Sequence, residues 1–386
     1  MLTGSLVPLI MVQRPSFSAP QIARLRLQAL GLAGQSPVAS DPAGVVGHHL
    51  AMQAQNFPAS RWAVGSRLPG ATDAQVLAAY DAGAIVRSWP MRGTVHVVAA
   101  PDLPWMLEHL GPRALMGVRR RWDYLKIDEP FLERAREVAV ELLKGGGRAT
   151  RSEFTGACRE AGLEMTGQRS YHAVWYLSQT GTLVHGPTRD GEHELVLLDE
   201  WIPEPRLLDR PTALRKLGVR YLTARGPATL DDLVHWTKLT KTDVRKALEV
   251  DGERIVEVDG PGGPYRMLAE HLDTLDPGNA EVDRSVLALA AFDEHLLGYR
   301  GRDPVLDPEH ATLVDPGRNG VFRWTLVAGG RVVGTWKRIR LTHHVRAEVL
   351  PFAPLSKRLR KSVAHAIETW ARFEGVEVQV EVSNPV

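Results

Sequence analysis

The 386-residue chain reads as an α+β protein: three tandem units, each of three helices and a two-stranded hairpin, followed by a small β-rich domain closed by one helix. Two observations predict this class. Apolar spacing of 3 and 4 gives way to short alternating runs three times in succession, and beyond Asp276-Pro277-Gly278-Asn279 the pattern turns almost wholly to strands. The units fall at 20–100, 101–205 and 206–278, the β-rich domain at 279–386, and residues 1–19 form a loose extension.

In the first unit Ile22, Leu25, Ala29 and Leu32 mark a helix face. Asp41-Pro42 opens a second helix, with proline at its first position, and Thr72-Asp73 opens a third. Strands are predicted over Ala84 to Trp89 and Thr94 to Val98, around Pro90-Met91-Arg92-Gly93. In the second unit Leu132, Ala135, Val138, Ala139 and Leu142 form one stripe, Thr150 with Glu153 starts the next helix, and Tyr171 to Leu177 gives the last. Its strands are Thr182 to His185 and Leu195 to Leu198. The third unit repeats the plan: Leu214, Leu217 and Tyr221, then starts at Thr229/Asp232 and Thr240/Asp243, then strands either side of Gly260 to Pro264. Three helices followed by a two-stranded wing is the winged-helix variant of helix-turn-helix, in which one helix enters a groove of DNA and the wing lies along its backbone.

In the β-rich domain strands are expected over Val286 to Phe292, Val321 to Val327, Arg331 to Arg338, Val345 to Leu350 and Val376 to Val382. Ala328-Gly329-Gly330 makes a tight hairpin turn. Leu359, Val363, Ile367 and Trp370 define the closing helix. The expected shape is a barrel.

Net charge is only +2, so distribution carries the signal. Between Lys337 and Lys361 there are eight Lys/Arg and one acid, Glu348; a smaller basic cluster is Arg119, Arg120, Arg121 and Lys126. The single cysteine, Cys158, excludes an intrachain disulfide and a thiolate metal site, and its place beside Phe154 and Ala161 reads as core. A reduced cytoplasmic setting fits. No apolar run is long enough to span a membrane. There is no phosphate-binding Gly-rich loop, no H-E-x-x-H and no nucleophile elbow, and His48-His49 and His343-His344 are adjacent pairs that diverge in regular structure. Asp293 and His295 could share a strand face, but two ligands are too few for a metal. No metal and no cofactor is expected.

What remains is Gln53-Ala54-Gln55, read at the end of the second helix, with Asn56-Phe57-Pro58 stopping that helix. Taken with 49–55, Met91 to His96, Phe292 to Tyr299 and Gly329 to Arg338, the chain resembles the AlkZ-like DNA glycosylases. The resemblance spans roughly 20 to 380 and implies a C-shaped protein of three winged helices with a C-terminal β-barrel. It implies removal of alkylated purines, including bulky adducts and interstrand crosslinks, from double-stranded DNA. A Gln-x-Gln motif would serve as the catalytic pair, matched here by Gln53 and Gln55.

The chemistry is within reach of two neutral amides. An N7- or N3-alkylated purine already carries positive charge and leaves without a general acid. The oxocarbenium-like transition state then needs a negative dipole and a positioned water. No lysine nucleophile is suggested, so a monofunctional enzyme is expected. Expected DNA contacts are Arg92, His96, Arg300, Arg331, Lys337 and Arg338, with the Gly329-Gly330 hairpin as minor-groove probe. For His96 a satisfied half-buried histidine is the competing reading. Two competing functions are a non-catalytic winged-helix transcription regulator and an idle paralogue that shields damaged DNA; nothing in the sequence requires a protein partner.

Overall fold

A computed structural model describes residues 14–33, 37–249 and 254–385. Its strands are β1 (Ala51–Gln53), β2 (Ile85–Met91), β3 (Thr94–Ala99), β4 (Leu183–Arg189), β5 (Glu192–Leu197), β6 (Ile255–Gly260), β7 (Gly263–Leu268), β8 (Val286–Leu289), β9 (Trp324–Ala328), β10 (Arg331–Arg340), β11 (Val345–Pro351) and β12 (Val378–Val382).

The capping signals form where the sequence has them. Asp41 accepts from the Gly44 N–H at the start of helix Pro42–His49, and Thr72, Thr150 and Thr229 each close a capping box. Three helices precede the hairpin of the third unit (Arg210–Arg225, Leu230–Thr237, Lys241–Glu249, then β6–β7). In the second, Glu129–Leu143, Arg151–Glu160 and Arg169–Gln179 lead into β4–β5, but Leu103–Leu110, Pro112–Met116 and Arg119–Leu125 come before them, helices the sequence pattern did not mark. The first unit departs from that plan. Asn56-Phe57-Pro58 does not stop a helix but starts one: Asn56 caps Phe57–Gly65, with proline in the first turn where no hydrogen bond is lost.

The first two hairpins do not stand apart. They join into one five-stranded sheet of order β1-β3-β2-β4-β5. The junction is antiparallel, with Arg87 opposite His185. The third hairpin remains two-stranded, and Phe17 donates to the Asp259 carbonyl, so the described part of the N-terminal segment lies along β6.

The expected barrel is an open sheet, of order β12-β11-β10-β9-β8, with no closed barrel among the described residues. Alternation predicts that one face is buried but not whether the first and last strands meet. Here β12 pairs parallel to β11 alone, and β8 is the opposite edge. Helix Lys357–Glu374 packs across the sheet through Val363, Ile367 and Trp370. The strand predicted to reach Phe292 ends at Leu289; Asp293 instead caps a short helix, Glu294–Leu297.

The core crosses unit boundaries. Trp62 Nε1 donates to the Ala288 carbonyl of β8 (2.7 Å), and Trp62 meets Phe373 with ring centroids 5.1 Å apart. Three buried ion pairs tie distant segments: Arg26–Asp232 (3.4 Å), Arg67–Asp293 (2.9 Å) and Arg225–Glu294 (2.7 Å). No helix among the described residues is long and apolar enough to cross a membrane.

Candidate functional site

Helix Pro42–His49 ends because Leu50 turns into the left-handed region, φ 65°. The chain leaves it extended, so Gln53 sits on β1 rather than on a helix end. Strand β1 is the outer strand of its sheet and pairs with β3, placing Gln53 opposite His96; on the other side of β3, Ser88 of β2 is also opposite His96. Residues directly opposite share a face. Gln53, His96 and Ser88 therefore form a buried polar row across three strands, 7%, 0% and 0% exposed.

Buried polar atoms are normally paired, and one left unmade costs about 1–3 kcal/mol. Around this row several lack a partner among the described residues: Gln53 Oε1, Ser88 Oγ, Arg92 Nε and Thr94 Oγ1. The Gln53 amide is nonetheless oriented. Its Nε2 donates to Gln55 Oε1 at 2.5 Å, which leaves its own carbonyl oxygen as the free acceptor. Gln55 lies beyond the strand and is exposed.

His96 is fully buried, so the structural reading of this residue prevails over a DNA contact. Its Nδ1 faces the Thr94 carbonyl (2.8 Å) and its Nε2 faces Arg92 Nη2 (3.3 Å). Burial, reinforced by the Arg92 charge, holds the imidazole well below the ordinary histidine range. It is a neutral spacer between Gln53 and Arg92.

Arg92 leads into a cleft of about 640 Å³. The turn Arg92-Gly93 has φ 58° and 67° and seats Gly93 against Trp175 and Ala114. The same cleft is lined by Arg113, Asp231, His235, Lys238 and Arg300. Two predicted residues 208 positions apart, Arg92 and Arg300, thus meet. Lys238 and Arg113 join them, and no local signal marked either: Lys238 arrives only because helix Leu230–Thr237 ends on it, φ 61°. His235 is pushed down to about 4 by burial, with Lys238 and Arg92 adding to it, so it contributes no charge at neutral pH. Four cations therefore face one carboxylate, Asp231, which pairs with Arg300 and Lys241.

The other expected contacts lie elsewhere. Gly330 is buried against Ala23, and Gly329 N–H donates to the Ser285 carbonyl, so this hairpin is packed inward and does not project as a probe. Arg331 donates to the Asp303 and Pro304 carbonyls. Arg338 lies 3.9 Å over Trp324 and pairs with Glu374. Lys337 pairs with Glu348. The first half of the basic run, Lys337, Arg338, Arg340 and Arg346, is thus paired with Glu348, Glu374 and Glu381. Cys158 is a buried free thiol, as its neighbours predicted.

Asp293 is engaged by both terminal nitrogens of Arg67 and by the His295 N–H, which leaves no place for a metal. Among the described residues the one group with metal-ligand proximity is Asp307, Glu309 and His310, mostly exposed, and such acidic clusters commonly hold nothing.

A Gln-x-Gln motif on an edge strand is thus joined through His96 to the Arg92 that lines a cationic cleft. The chain belongs to the AlkZ-like DNA glycosylase family, whose model matches residues 46–373. It is 29% identical over 362 residues to the "Interstrand DNA cross-link repair glycosylase" of Streptomyces sahachiroi, covering 88% of this chain and 92% of that protein. Its fold is similar to that of the solved Streptomyces sahachiroi DNA glycosylase AlkZ, with a TM-score of 0.73 at 24% identity, over 95% of this chain and 100% of that one.

Proposed function

We propose that this protein hydrolyses the N-glycosidic bond of cationic N7- or N3-alkylpurines in double-stranded DNA, interstrand crosslinks among them, with Gln53 and Gln55 as the catalytic pair. The observation that carries the reading is the unpartnered Gln53 Oε1, an oriented carbonyl acceptor whose strand neighbour His96 contacts Arg92, a residue that lines a cleft rich in Arg and Lys. A water donating to that oxygen is aligned for attack at the anomeric carbon. The amide dipoles of both glutamines face the sugar as it gains positive charge. The Gln53–Gln55 bond engages Nε2 and leaves Oε1 unpartnered but buried, so the exposed Gln55 side chain is the part of the motif that turns outward as the duplex docks. Arg92, Arg113, Lys238 and Arg300 bind the phosphates on either side.

The neutral motif limits the substrate range. Uracil and 8-oxoguanine need an acid or an activated nucleophile, and neither glutamine supplies one. The test is release of free base from N7-methylguanine DNA. Gln53→Ala and Gln55→Ala are each expected to slow single-turnover release by about 10²-fold, the usual effect of deleting one electrostatic stabiliser. Release that survives both changes removes the mechanism, and tight binding with no release by the wild type favours the non-catalytic DNA-binding alternative. Among the described residues Lys238 is the one lysine in the lining of this cleft. A monofunctional hydrolase predicts no covalent protein–DNA adduct when borohydride is added during turnover; a trapped adduct lost in Lys238→Ala would make the enzyme a lyase.

A further inference from the structure

Among the described residues the edge of β1 away from β3 has no neighbouring strand, yet its backbone groups are satisfied by two buried side chains. Glu294 Oε1 accepts from the Gln53 N–H at 3.1 Å. Arg225 Nη2 donates to the Ala51 carbonyl and Nη1 to the His49 carbonyl, each at 2.9 Å. Residues 51 and 53 point their backbone groups to the same side of a strand, so the pair substitutes for a missing strand. The two carbonyls held by Arg225 also bracket Leu50, whose left-handed backbone is disfavoured for a branched side chain and persists only where its surroundings over-determine it.

The clamp itself is held from several sides. Glu294 Oε2 accepts from Arg225 Nε (3.0 Å) and Nη2 (2.7 Å) and from Trp236 Nε1 (3.1 Å). The guanidinium stacks 4.3 Å from the Trp236 ring centroid. A Cβ on Gly298 would stand 3.1 Å from Arg225 Cδ, so glycine leaves room for the arginine. Arg225 is 0% and Glu294 1% exposed. The other two buried pairs do not touch the motif: Arg67 reaches the Leu30 and Ala63 carbonyls, and Arg26 reaches those of Pro227 and Gly301.

We infer that the Arg225–Glu294 pair is a positioning device for the glycosylase reaction: it sets the strand that aims Gln53 and keeps the ground behind it electrically neutral for a cationic lesion. The inference rests on the reading of Gln53 given above. Arg225 alone would place an uncompensated positive charge behind the motif. Glu294 cancels it and takes the Gln53 amide in the same stroke. The pair also makes the motif depend on the third unit and on the C-terminal domain, because Arg225 ends helix Arg210–Arg225 and Glu294 begins helix Glu294–Leu297.

Two variants separate positioning from folding. Arg225→Lys keeps the charge but has no fork to span both carbonyls. Arg225→Met/Glu294→Gln removes both charges together, a change that buried pairs generally tolerate. Each is expected to lower single-turnover base release at least tenfold, to leave the dissociation constant for lesion DNA within about twofold, and to speed amide hydrogen exchange at residues 50–55. A fold-only role would change the folded fraction without slowing release per folded molecule. Either variant, folded and releasing N7-methylguanine at the wild-type rate, overturns the inference. Gln53→Ala runs in parallel: if it is impaired while the clamp variants are not, the clamp idea alone fails; if it releases base normally, the reading of Gln53 fails and the clamp with it.

Discussion

At the scale of single residues, the site is built from groups kept neutral or cancelled. His96 stays uncharged between Gln53 and Arg92 because burial outweighs every favourable contact, and neither glutamine titrates. Single-turnover release of a cationic purine is therefore expected to be flat between about pH 6.5 and 8.5, without the bell shape of acid–base catalysis. A slope of one in that range would reveal a titrating general base. Stability should behave differently. Burial pushes His193, His271 and His295 down to about 4, against an ordinary value of 6.5. The unfolded chain binds more protons between those values, so the stability these groups hold above pH 6.5 is lost as pH falls towards 4. Urea midpoints measured across that interval should drop steadily; a constant midpoint would contradict their burial.

At the scale of elements, the motif Phe292 to Tyr299 is a structural joint rather than a chemical centre. Asp293 caps its own short helix and receives Arg67 from beyond helix Phe57–Gly65, at 2.9 Å to each carboxylate oxygen. Removing one member of such a pair leaves a buried charge without compensation. Asp293→Ala is expected to cost about 3–5 kcal/mol of unfolding free energy, read by urea denaturation, while whatever fraction remains folded still releases base. A loss below about 1 kcal/mol would show that the Arg67 carbonyl contacts suffice. The elements also show where local reading works. Thr72, Thr150 and Thr229 act as caps because capping chemistry is complete within four residues. Asn56-Phe57-Pro58 misleads because the same residues serve a helix start and a helix stop, and only the pairing of β1 with β3 decides between them.

At the scale of the molecule, the cationic cleft is assembled from four segments far apart in the chain, through Arg92, Arg113, Lys238 and Arg300. Its contribution to DNA binding is a matter of counterion release. Arg113→Gln and Arg300→Gln should each flatten the log–log salt dependence of binding by about one unit. Arg338→Gln should leave it unchanged, since that guanidinium is committed to Trp324 and Glu374. A salt slope unmoved by the cleft variants and reduced by Arg338→Gln would relocate the phosphate path to the C-terminal sheet.

The sequence by itself determined the helical caps, the three hairpins, the shift to strands after Asn279 and the Gln53-Ala54-Gln55 motif, because each is written in residues a few positions apart. Only the tertiary structure decided that the C-terminal strands stay open, that Gln53 lies on an edge strand, and that Arg225 and Glu294 complete that edge. It also decided which arginines are free. A guanidinium's availability depends on which carboxylates, carbonyls and rings the fold brings within about 4 Å, and those partners lie from tens to more than 200 residues away, beyond the reach of any local period or charge run.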